Sequence, residues 1–131
     1  MGDLHITIAV KVSLEHFEEI IVSALEGGSN YWYDLNIDEF RKDLLGESGE
    51  PLSSRIAKSL FENPNFEMNV YDVEDDSEVL GTVTQSSMLK ALGVAKQDYS
   101  HHYHDLMEGV GDADTTDILF QLAVMGEIVF G

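Results

Sequence analysis

Between Ala24 and Tyr33 the chain reads Ala-Leu-Glu-Gly-Gly-Ser-Asn-Tyr-Trp-Tyr, and this stretch constrains the fold more than any other. An apolar helix must end here, because two successive glycines favour a backbone that other residues avoid. Gly27 and Gly28 take φ > 0 without steric cost, which suits them to a helix C-terminal cap. The aromatics that follow include the only Trp of the chain. Tyr31 and Trp32 are expected to fold back onto the core, with their polar tips near the surface. Gly27 is therefore predicted to be left-handed, and Trp32 to pack against the helix it follows.

Periodicity on either side of this turn sets the fold class. His5–Val12 alternates, with Ile6, Ile8, Val10 and Val12 on one face, and reads as a strand over 5–12. Ser13 can cap a helix whose stripe is Phe17, Ile20, Ile21 and Ala24, a spacing of i, i+3, i+4, i+7. Asp34 or Asn36 can cap a short helix over 37–45 with Ile37, Phe40 and Leu44 inward. Pro51 suits the first turn of a helix over 52–62, which Asn63-Pro64-Asn65 ends. Phe66, Met68 and Val70 share a face of a strand over 66–73. Glu74–Ser77 then reads as a turn, and 79–83 as the return strand of a hairpin. Thr84 caps a helix that Gly93 is expected to close. Residues 94–111 read as a short helix within a mobile segment. Asp112–Thr116 opens a last helix ended by Gly126, with a further strand at 127–130. The expectation is one α+β domain over 1–131, in which a small, mainly antiparallel sheet of three or four strands packs with four or five helices.

Cysteine is absent, which excludes disulfides, thiol catalysis and zinc-thiolate sites. No apolar run approaches the ~20 residues that span a bilayer. The first residues lack the basic-then-apolar order of a secretory signal, and Ile6 stands where a myristoylation signal has Ser or Thr. A soluble, cytoplasmic protein is expected. Charge is the dominant compositional fact. Twenty-five acids face seven bases, a net charge of −18, and only Lys90 and Lys96 are basic after residue 65. Such a surface repels nucleic acid and anionic membranes and attracts basic partners, although it also serves solubility alone.

Two stretches together resemble a family of small proteins carried by bacteriophages and mobile elements of bacteria. One is Ala24-Leu25-Glu26-Gly27-Gly28-x-x-Tyr31-Trp32. The other is Asp117-x-x-x-Gln121-x-Ala123-x-x-Gly126-Glu127-Ile128-Val129-x-Gly131. Tyr71-Asp72-x-Glu74-Asp75, followed by a threonine-capped helix, is similar to that family's hairpin-then-helix segment. The chain departs from the pattern at Ser29, where an apolar residue is usual, and at Val124-Met125, where Leu-Phe is usual. It also has Asn63-Pro64-Asn65 where the family often has Gly-Gly, and its alternating N-terminal stretch resembles an addition. The resemblance implies a setting, a phage or mobile element inside a bacterial host cell, and no chemistry.

Three constellations are candidates for function. Glu26, Asn30, Tyr31 and Trp32 can line a binding pocket beside the helix end, although Gly-Gly followed by packed aromatics also makes a plain structural corner. His101 and His104 share a helical face with Asp105 near it, a geometry open to a metal ion, although exposed histidines are the plainer account and no His-Glu-x-x-His pattern occurs. The acidic run from Asp72 fails as a calcium loop, because Ser77 and Val83 stand where Gly and Glu are required. No phosphate loop or nucleophile elbow is present. The sequence thus reads first as a non-enzymatic interaction protein without a cofactor, which binds a basic protein partner as a DNA mimic or as an inhibitor of a host nucleic-acid-binding protein. A metal-dependent enzyme using the His101/His104 region is the alternative.

Overall fold

The computed structural model describes residues 10–131. Five helices and a three-stranded antiparallel sheet form the expected α+β architecture. The helices are α1 (Leu14–Ser23), α2 (Leu52–Glu62), α3 (Gln85–Asp98), α4 (Ser100–Met107) and α5 (Ala113–Met125). The strands are β1 (Tyr33–Leu35), β2 (Met68–Asp72) and β3 (Asp75–Val83), in the order β1-β2-β3.

Helix α5 is the centre of the molecule. Leu119 to Val124 are all buried, so the C-terminal half of this helix is covered nearly all round. Its ends follow the local chemistry. Asp112 Oδ1 accepts the Thr115 backbone N–H at 2.9 Å, and Gly126 closes the helix in the left-handed conformation at φ 77°. Helix α1 buries the stripe read from its spacing, Phe17, Ile20, Ile21 and Ala24. The sheet buries Met68, Val70 and Val83, while Asn69 and Thr82 pair on the other side through a hydrogen bond of 2.7 Å. Gly81 marks where α5 meets β3. A Cβ there would lie 1.9 Å from the Val124 carbonyl oxygen, so only glycine permits this approach.

Several elements differ from the sequence expectation. The strand over 5–12 lies largely outside the described residues, and 10–12 carry no strand. β1 was not foreseen. It is three residues long, too short for an alternation to register, and it pairs Tyr33 with Asp72 and Leu35 with Val70. The hairpin turns tightly at Val73-Glu74, so β3 starts at Asp75 rather than at 79. The helix expected over 37–45 is two 3-10 turns, Ile37–Glu39 and Arg41–Asp43, broken at Phe40. No side chain caps either turn, and so short a stretch has little helical stability of its own. Gly93 does not close α3, which continues five residues further with Gly93 on an open face. Residues 94–111 hold the end of α3 and all of α4, which buries Tyr103 and Leu106. The strand expected at 127–130 does not form, because this segment pairs with a side chain instead of with a strand.

Candidate functional site

The turn after α1 is a single wide helical turn, Ala24–Gly28, in which Ser29 N–H reaches back to Ala24 O at 3.2 Å. Its two glycines serve different needs. Gly27 has φ 140°, positive as predicted and wider than the common left-handed well. At Gly28 an added Cβ would stand 2.9 Å from Ser23 O. The turn drives Ser29 into the interior and delivers three side chains to one acceptor on α5.

That acceptor is Asp117. Its Oδ1 accepts from Ser29 Oγ at 2.6 Å and from Trp32 Nε1 at 2.8 Å. Its Oδ2 accepts from Tyr31 OH at 2.7 Å and from Gln121 Nε2 at 3.1 Å. A carboxylate so engaged is held by neutral donors in place of a cation. Burial and the bond to Asp117 push the Tyr31 phenol up to about 12, and burial also raises that of Tyr33. Gln121, one helical turn on from Asp117, faces the last residues of the chain. Its Nε2 also donates to Phe130 O at 3.0 Å, and its Oε1 accepts from the N–H groups of Val129 and Phe130 at 2.9 Å each. Phe130 stacks on Trp32, with ring centroids 5.3 Å apart. The turn and the C-terminal stretch thus meet in space, through Asp117 and through Phe130 on Trp32.

The four candidate binding residues fall on different sides of the turn. Trp32 is 1% exposed and packs among Tyr33, Phe120 and Phe130, so the rings it meets belong to β1, α5 and the last residues rather than to the helix it follows. Tyr31, 52% exposed, borders an open cleft that also has His102, Asp114 and Asp117 in its wall. Glu26 and Asn30 are exposed on another side, where they line a groove between the turn, β1 and the start of α2. There Glu26 Oε1 accepts from Ser53 Oγ at 3.0 Å.

On α4, His101 Nε2 lies 3.3 Å from Asp105 Oδ2, and His104 is exposed on the same helix. Among the described residues no three His, Cys, Asp or Glu side chains gather closely enough to hold a metal ion. The histidine tied into the fold is His102, whose Nδ1 lies 2.9 Å from Thr115 Oγ1 and so joins α4 to the start of α5.

No protein-family model matches this chain, and no curated protein or solved structure is similar to it at a meaningful level. The reading of function therefore rests on geometry and charge. In the sequence Asp117 stands out only as the first residue of the C-terminal stretch that carries the resemblance, and Ser29 only as a departure from its pattern. The signal available was the i, i+4 spacing of Asp117 and Gln121, which puts both on one helical face.

Proposed function

We propose that this chain is a non-enzymatic interaction module that presents an acidic surface to a basic protein partner. The setting is the one the resemblance implies, a phage or mobile element in the cytoplasm of a bacterial host. One observation carries the reading: the excess negative charge is not neutralised within the fold. Twenty-five acids face seven bases. Among the described residues only one carboxylate lies within ion-pair distance of a Lys or Arg, Asp38 beside Arg41, while Asp105 lies beside the imidazole of His101. At the tip of the β2-β3 hairpin, Glu74, Asp75, Asp76 and Glu78 are all exposed. A field of this sign speeds encounter with cationic surfaces and disfavours nucleic acid and anionic lipid. No described helix is long and apolar enough to cross a membrane. DNA mimicry, or inhibition of a host nucleic-acid-binding protein, is the concrete form this takes.

The test is capture from bacterial lysate at low and at high salt, followed by competition with a labelled DNA duplex. The reading expects a basic DNA-binding protein that salt releases and that the duplex displaces. Capture of no basic protein, or binding indifferent to salt, overturns it.

A further inference from the structure

The groove beside the turn combines an apolar floor with an acidic rim. Its floor is aliphatic, made of Leu25, Leu35, Ile37 and Leu52, all partly exposed. Its rim carries two carboxylates, Glu26 and Asp34, both exposed, and no basic side chain lines it. Glu26 spends one oxygen on Ser53, and Asp34 Oδ1 accepts the Leu35 N–H at 2.8 Å. Among the described residues neither carboxylate is paired with a cation. The volume, ≈ 350 Å³, holds a side chain rather than a whole element.

An apolar floor under an anionic rim complements one kind of natural side chain, a long methylene stem with a cationic head. Building on the acidic-module reading, we propose that this groove seats a lysine or arginine side chain of the partner protein. The stem lies along Leu35, Ile37 and Leu52, and the head meets Glu26 and Asp34. The cleft on the Tyr31 side is less suited, because all four hydrogen bonds that Asp117 accepts there come from within the chain.

The experiment is two-dimensional amide NMR of the full, isotope-labelled chain, titrated at low salt with three short peptides that differ at one position. One carries lysine, one carries diaminopropionate (the same charge on a short stem), and one carries norleucine (an apolar stem without charge). Lysine is expected to give saturable shifts at Leu25, Glu26, Leu35 and Leu52. Diaminopropionate should bind roughly tenfold more weakly for want of buried methylenes, and norleucine should also bind more weakly than lysine. Glu26→Gln, which still accepts from Ser53, should weaken the lysine peptide by roughly two- to fivefold. Equal binding of lysine and diaminopropionate overturns the groove proposal and leaves the acidic-module reading standing. So do shifts gathered at Glu74–Glu78 instead of the groove. No shift with either cationic peptide overturns both.

Discussion

Asp117 is the residue on which the region around the turn depends, and its chemistry makes it sensitive to a change of one atom. Asp117→Asn keeps the shape but turns one acceptor oxygen into a donor. Asn then offers N–H groups where Gln121 Nε2 or Trp32 Nε1 already donates, and a buried donor loses its partner. The expected cost is about 1–3 kcal/mol, read from denaturant melts against the parent. Trp32→Ala should cost about 3–5 kcal/mol, since the ring is a core element and not an exposed anchor. A parent-like melt of this variant would contradict that placement. Tyr31 gives a pH signature. Its phenol is pushed up to about 12, above its unfolded value near 10, so the folded state holds the proton more tightly. The associated stability is complete below about pH 10 and is lost as pH rises towards 12. Tyr31→Phe should reduce the alkaline loss of stability over that window and leave the part due to Tyr33, whose phenol burial also raises, and an unchanged profile would refute the assignment. The role of Gly27 was legible from its type, because few other residues tolerate positive φ. The role of Asp117 was not, because the three donors on the turn lie 85 or more residues away in the chain.

Helix periodicity carried most of what could be read about the elements, and tertiary contacts decided the rest. The stripe of α1, the Pro51 start of α2, the Thr84 cap of α3 and the Gly126 stop of α5 are all local, and each stands where the residues place it. The 127–130 segment has strand composition, yet Gln121 supplies the hydrogen bonds a neighbouring strand would give. Nothing in the segment itself records that. The glycines show the same division. Gly93 and Gly81 look alike in sequence, one ending an apolar helical run and one inside a strand. In the fold, Gly93 faces open space within α3, whereas Gly81 lies against the backbone of α5. Gly93→Ala should therefore stabilise the protein by roughly 0.5–1 kcal/mol through helix propensity. Gly81→Ala must separate β3 from α5, because its Cβ meets a carbonyl oxygen rather than a flexible side chain. It should destabilise by about 1–3 kcal/mol, as overpacking does. Paired thermal melts decide the matter: Gly81→Ala no less stable than the parent would mean that α5 does not pack on β3 as described, and a destabilised Gly93→Ala that Gly93 does not face open space.

The molecule as a whole combines a covered apolar centre with a charge of −18 that the fold leaves largely uncompensated. These two facts act on stability in opposite directions. Burial around α5 favours the compact state, while like charges brought together on its surface oppose it. Salt separates the two effects. At about 0.15 M ionic strength the screening length is roughly 8 Å, shorter than most distances across a domain, so long-range repulsion is damped while contacts inside the core are untouched. A protein held by surface ion pairs loses stability under that change. Among the described residues this one has almost none to lose, with Asp38–Arg41 exposed on both sides and therefore of little weight. Its melting temperature should rise on going from low salt to about 0.15 M, and a gain of about 1 kcal/mol would appear as roughly 3–6 °C in a domain of this size. The same titration should weaken binding of any basic partner, because screening that relieves self-repulsion also removes long-range attraction. Stability and affinity must then move in opposite directions along one salt axis. A melting temperature that falls with salt would mean that the acids are compensated within the fold, and the case for an acidic docking surface would lose its main support.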